Sequence, residues 1–192
     1  MTEHRTSDAP DVVQLSTHVA YRNRWMTVRE DQVRHADGSE GLYAVVEKPD
    51  FAVIVPVHDG GVFLVEQYRY PVQGRYWELP QGSLPAPAAP DSMTTVAASE
   101  LAEETGLRAG TVQPLGVLHE AYGFATQRAH VFAATELTVG KPDREETESD
   151  MRCDWFSLPQ MWSLVAAGRF TDAPSLAAVL LAQRQGLLDP SS

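Results

Sequence analysis

The stretch 98-ASELAEETGL-107 sets Glu100, Glu103 and Glu104 within five positions of one another and then meets Gly106. On an α-helix residues three and four apart lie over one another, so Glu100 projects onto the same face as both Glu103 and Glu104. Leu101 then points about 100° away, toward Ala97 and the side expected to face a core. Like charges at these spacings repel by roughly 0.2 to 0.5 kcal/mol per pair, so the crowding weakens the isolated helix and needs compensation. A hard divalent cation supplies it, because Mg²⁺ and Mn²⁺ prefer carboxylate oxygens and combine a few of them with water and substrate phosphate. The plainer alternative is a solvated acidic face near a helix end.

Working outward, residues 92–105 read as one helix, with Ser92 or Asp91 suited to cap it and Gly106 suited to end it. Before it stands "SLPAPAAP", three prolines in eight residues, which excludes regular helix or an inner strand. Further back, "FAVIVPVHDGGVFLVEQYRY" (51–70) gives two apolar strands around Asp59-Gly60-Gly61, a hairpin signal. The segment 19–38 mixes strand formers with charges and reaches the turn dipeptide Asp37-Gly38, with a further extended piece at 42–48. On the C-terminal side "TVQPLGVLHEAYG", "RAHVFAATEL" and "MRCDWFSL" read as strands, the last preceded by the acidic loop "KPDREETESD". Two helices close the chain, the second with Pro174 in its first turn and Gly186 at its end. This order predicts an α+β fold, a mixed α/β/α sandwich.

At 192 residues the chain suits one main domain with a small extension, and 43% apolar with 21% charged residues is ordinary for a globular protein. No run approaches the eighteen or so apolar residues of a membrane helix, and the polar N-terminus lacks the apolar segment of a signal peptide. A cytoplasmic location without membrane contact is expected. Cys153 is the only cysteine and reads as a packed thiol. The formal net charge of -11 argues against nucleic-acid binding, while a small anionic substrate remains open through a metal.

"WELPQG" (77–82) followed by "SELAEETGL" (99–107) resembles the Nudix box, a glycine, five residues, a glutamate, seven residues, then Arg-Glu-U-x-Glu-Glu-x-Gly-U with U aliphatic. Gly82, Glu100, Leu101, Glu103, Glu104, Gly106 and Leu107 match. "LVEQYRYP" (64–71), "YGFATQRAHVFAAT" (122–135) and "GRFTDAPSLAAVLLA" (168–182) are similar to the ADP-ribose pyrophosphatase branch, and the likeness covers 21–187. There are departures. The interval from Gly82 to Glu100 is three residues longer than the pattern, Asp91 stands where its first glutamate belongs, and Ser99 replaces its arginine, removing a donor fork.

The resemblance implies a Nudix fold with an N-terminal β extension: a flexible terminus at 1–16, the extension at 17–48, the hydrolase domain at 49–187 and a flexible tail at 188–192. It implies metal-assisted hydrolysis of a nucleoside diphosphate sugar, ADP-ribose among them. In that scheme Glu100, Glu103 and Glu104, with the backbone of Gln81, hold Mg²⁺ or alternatively Mn²⁺, and Glu103 also counts among the catalytic groups. A general base is implied in the acidic loop, where Glu145, Glu146 and Glu148 are candidates and Glu148 is favoured by position. Arg69 matches the phosphate-holding position.

Glu78, at a strand end beside the site, has two open roles, assisting metal or substrate and anchoring the loop. Tyr21 and Trp25 are candidates for stacking on the base, against the ordinary alternative of core packing. His119 and His130 read as packing residues. By resemblance the extension crosses to a second subunit, so a homodimer is expected. Two other readings stay beside the hydrolase: a catalytically impaired Nudix-type module that binds a nucleotide sugar without cleaving it, and a partner-binding domain whose acidic helix is only a soluble face.

Overall fold

The structure is a computed structural model that describes residues 10–83, 93–141 and 150–189. It divides into two compact units: one comprises the described residues up to Pro49 with Ala121–Gln127, and the other the rest. The first is a three-stranded antiparallel sheet of β1 (Val12–Arg22), β2 (Thr27–His35) and β3 (Glu40–Glu47), in that order. Between β2 and β3 the expected turn is present, with Gly38 at φ 85° and the Asp37 carboxylate accepting from the Ser39 N–H at 2.9 Å. The β1–β2 turn was missed by pattern reading. Asn23 makes it, its side-chain oxygen accepting from the N–H groups of Trp25 and Met26 at 2.8 and 2.9 Å. Of the flexible terminus expected at 1–16, residues 1–9 lie outside the described residues, and β1 already begins at Val12, which pairs with His35. Val12, Val13 and Leu15 supply β-branched and apolar side chains that suit a strand whether or not a core covers them.

The second unit is built on a mixed sheet in the order β10-β5-β4-β9-β8, with β6 paired to β5 and β7 to β4. Its strands are β4 (Phe51–His58), β5 (Gly61–Arg69), β6 (Gly74–Glu78), β7 (Gln81–Ser83), β8 (Leu107–His119), β9 (Arg128–Val139) and β10 (Arg152–Ser157). Asp59 and Gly60, both at positive φ, close the β4–β5 hairpin where the sequence predicts it. The helices are α1 (Met93–Glu100), α2 (Leu158–Ala166) and α3 (Ala173–Arg184).

Alternation along β4 and β9 feeds two cores. Val53, Val55, Val131 and Ala133 pack toward α2 and α3 with Leu158, Met161, Phe170 and Val179. Ala52, Ile54, Phe132 and Ala134 pack on the other face with Met93, Ala97 and Leu101 of the acidic helix. Helices therefore cover both faces, the mixed α/β/α arrangement expected. Full burial of a side chain such as Ile54 or Leu64 contributes about 1.5 to 3 kcal/mol, so the central strands anchor the loops at their ends.

Candidate active site

Strand alternation puts Gln67 and Arg69 of β5 on one face, and pairing of Val65 with Glu78 brings in the end of β6. Arg69 grips Glu78 with two prongs, Nε to Oε2 at 3.0 Å and Nη2 to Oε1 at 2.5 Å, while Gln67 Nε2 donates to Oε1 at 2.6 Å. Glu78 is 2% exposed. The two partners pull in opposite senses. Burial pushes the Glu78 carboxyl up from its ordinary value against the opposing effect of Arg69. Burial also works against the Arg69 charge, but Glu78, Glu104 and Asp172 more than offset it and hold the guanidinium above its usual value. The two-pronged contact and the third donor decide for an ionised pair. Because Glu78 occupies the Nε and Nη2 edge, the Nη1 donors of this partly exposed side chain remain for an incoming oxyanion.

Beyond Glu100 the helix widens into a π-helical turn, Leu101–Thr105, before Gly106 reverses the chain at φ 76°. The widening changes where the glutamates point. At roughly 4.4 residues per turn each residue advances about 82°, which leaves Glu104 about 30° from Glu100 but swings Glu103 about 115° away. The contacts follow this division. Glu104 is 1% exposed, and its Oε2 accepts from the Gln81 N–H at 3.2 Å. The Glu100 carboxylate lies against Gly82, so close that a Cβ there would overlap it. Glu103 instead accepts from Ser99 Oγ at 2.5 Å and lines a groove of about 380 Å³ with Arg108 and Lys141. The single face expected for all three carboxylates is thus replaced by a pair at Gln81–Gly82 and a third turned aside. Ser99, which lacks the donor fork of the arginine it replaces, still supplies one donor, to Glu103.

The carboxylates of Glu100 and Glu104 form an oxygen-only donor pair near Arg69. Among the described residues no three His, Cys, Asp or Glu side chains gather into a metal cluster. The pair fits a hard divalent ion, which takes few protein oxygens and keeps the rest of its shell for water and phosphate. Gly82 permits the approach, because only a residue without Cβ lets the Glu100 carboxylate reach β7.

The other expected residues are placed differently. Tyr21 and Trp25 belong to the N-terminal unit, where they are 55% and 59% exposed, so core packing is excluded for both. The Arg24 guanidinium stacks 4.0 Å from the Trp25 ring centroid. Glu145, Glu146, Glu148 and Asp91 lie outside the described residues. His130 Nε2 sits 3.0 Å from Asp50 Oδ2, a carboxylate that also accepts from the Arg128 N–H at 3.0 Å and its Nε at 2.9 Å. Burial acts to raise the Asp50 carboxyl, but His130 and Arg128 outweigh it and hold it below its ordinary value. His119 ends β8 exposed, and Cys153 is half-buried in β10.

Sequence reading missed Gln67 and the cap of α3. Gln67 was legible as the residue two before Arg69 on the same strand face. Asp172 caps α3 through the Ser175 N–H at 2.9 Å and accepts from Ser175 Oγ at 2.6 Å. Ser175 Oγ in turn accepts from the Leu79 N–H at 2.9 Å, tying the helix to the turn that follows Glu78. The spacing Asp-x-Pro-Ser signals the cap, but not that the cap reaches a turn 96 residues away.

Known proteins match both parts of the chain. Residues 48–179 match the NUDIX domain, and residues 14–46 match the nucleoside diphosphate sugar hydrolase N-terminal domain. The chain is 35% identical over 182 residues to an ADP-ribose pyrophosphatase of Mycobacterium tuberculosis, covering 94% of this chain and 84% of that one. It is 31% identical over 121 residues to the ADP-ribose pyrophosphatase of Bacillus subtilis, covering 62% and 64%. Among solved structures, the crystal structure of an ADP compounds hydrolase superposes with a TM-score of 0.80 at 19% identity, over 95% of this chain and all of that one, a likeness of fold. The chain belongs to the Nudix hydrolase family and is a pyrophosphohydrolase similar to the ADP-ribose pyrophosphatases.

Proposed function

We propose that the protein hydrolyses the pyrophosphate bond of ADP-ribose or a related nucleoside diphosphate sugar with Mg²⁺, giving a nucleoside monophosphate and a sugar phosphate. The observation that carries this reading is the convergence of Glu100 and Glu104 on Gln81–Gly82, close enough to Arg69 for Glu104 to raise its pKa. Glu100, Glu104 and the Gln81 backbone would hold the metal. When bound, a divalent ion supplies charge neutralisation and Lewis acidity at the diphosphate.

The chain's own groups do the rest. Arg69, fixed along one edge by Glu78, offers its remaining donors to phosphate oxygens, and the fork suits two of them at once. Glu78 thereby serves substrate binding by orienting Arg69. Glu148, with Glu146 as the alternative, takes the proton of the attacking water. Glu103, held by Ser99, supports the last helical turn and stands ready as a further acid-base group. Exposed Tyr21 and Trp25 offer flat faces for the base, and stacking of that kind contributes about 1 to 3 kcal/mol per base. No helix among the described residues is long and apolar enough to cross a membrane, and we place the enzyme in the cytoplasm.

Incubation with a panel of nucleoside diphosphate sugars and Mg²⁺ should release AMP from ADP-ribose. Glu104→Gln should lower kcat at least a hundredfold with the fold intact. Full turnover in that variant sinks the assignment of roles, and tight binding without cleavage under any divalent metal would favour the impaired-module alternative.

A further inference from the structure

Three arginines converge on one buried carboxylate away from the pyrophosphate site. Glu66 of β5 lies opposite Arg152 of β10 on one side and opposite Trp77 of β6 on the other. Residues facing one another across antiparallel strands share a sheet face, and Arg75, two residues before Trp77, shares it too. Gln67 and Arg69 alternate onto the opposite face. Arg169, in the connection between α2 and α3, closes over the group, its Nη2 donating to Glu66 Oε1 at 2.6 Å. Arg75 Nε lies 3.4 Å and Arg152 Nη1 3.9 Å from Glu66 Oε2. Asp150 pairs its carboxylate with Arg75 and accepts from Arg75 Nη2 at its carbonyl oxygen at 2.9 Å.

Charge bookkeeping separates this cluster from the Arg69–Glu78 pair. There one guanidinium meets one carboxylate and the requirement of the buried acid is satisfied. Here Glu66, 4% exposed, needs a single cationic partner, yet among the described residues three guanidiniums meet two carboxylates and one positive charge is left over. Like charges held this close repel, and a protein of net charge -11 gains nothing for solubility from gathering cations. The Arg152 and Arg169 side chains are 73% and 49% exposed, so donors not used by Glu66 are open to a ligand.

We propose that Arg152 and Arg169, braced by Glu66 and Arg75, form a second anion-binding site that takes a phosphate group. The planar forks of two arginines match phosphate oxygens, and the buried glutamate holds Arg169 by a hydrogen bond and attracts Arg152 across 3.9 Å in advance of the ligand. Either free phosphate or the phosphate of a sugar phosphate carries this chemistry.

The test is calorimetric titration with inorganic phosphate and, separately, ribose 5-phosphate, at constant ionic strength and without divalent metal. Full-length protein carrying Arg69→Gln is used so that the arginine of the hydrolytic site does not contribute. Saturable binding is expected, weakened at least tenfold by adding Arg152→Gln or Arg169→Gln and unchanged by Arg22→Gln. The tighter of the two ligands identifies the source. Equal affinity in the Arg152→Gln protein and its parent overturns the proposal, as does the absence of saturable binding in both arms. Arg152 is the more exposed member, so its variant tests the site even if loss of Arg169 disturbs the fold. Hydrolysis by the Arg152→Gln protein with Arg69 intact is read independently, so failure of this site and failure of the hydrolase reading are told apart.

Discussion

Asp50 stands where the chain passes from its first compact unit into β4, and three donors hold it: the Arg128 N–H, the Arg128 guanidinium and the His130 ring. Its carboxyl is held below the ordinary value, so the folded state binds the proton less readily than the unfolded chain does. Its stabilising contribution is therefore fully present above the ordinary aspartate pKa near 3.9 and is lost as the pH falls through the lowered folded value. Asp50→Asn should destabilise the protein by about 1 to 3 kcal/mol at pH 7, the range for hydrogen bonds to charged groups whose partners are left wanting. The same variant should show a smaller loss than the parent between pH 7 and pH 3 in urea unfolding. A parallel acid limb in both proteins would show that the carboxylate does not carry this dependence.

At the scale of elements, the contact between β7 and the end of the acidic helix decides how much of the site was readable. The helix, its glycine stop and the acidic trio follow from residues 98–107, because periodicity and turn chemistry are local. The π-helical turn does not. It inserts an extra fraction of a turn, invisible to a 3.6-residue template, and so the direction of Glu103 was misjudged while that of Glu104 was not. Gln67 and the Asp172–Ser175–Leu79 chain escaped for a related reason, since each depends on which distant strand a side chain reaches. Gly82→Ala tests the element contact. The added methyl meets the Glu100 carboxylate, and overpacking of that kind costs about 1 to 3 kcal/mol. We expect a lower thermal midpoint together with at least tenfold weaker Mg²⁺ activation. A variant with unchanged metal dependence would separate Gly82 from the site.

At the scale of the whole molecule, the α/β/α layers were legible because buried strands such as β4 read as continuous apolar runs. The N-terminal sheet was only half legible. All of β1 is exposed, with Val12, Val13, Leu15, Val19 and Tyr21 showing apolar surface along an edge that pairs only with β2 among the described residues. A long exposed edge of this kind invites pairing with another chain. Sedimentation equilibrium should return twice the 21.1 kDa mass of the chain, and Val13→Lys with Leu15→Lys should shift it toward the monomer. A monomer at every concentration would overturn the homodimer expected from the resemblance.

One topological detail bears on how the chain can be cut. Between β8 and β9 it leaves the sheet, and Ala125 bridges Val46 while the Thr126 N–H donates to the Val46 carbonyl at 3.0 Å. The Gln127 side chain also donates to the Pro49 carbonyl at 2.7 Å. Removing everything before residue 50, close to the family boundary between residues 46 and 48, would take from the segment Ala121–Gln127 the backbone bonds that Phe124 and Thr126 make to Val46. Laboratory truncation and evolutionary exchange of the leading module thus face the same obstacle: its borders in sequence are not its borders in space.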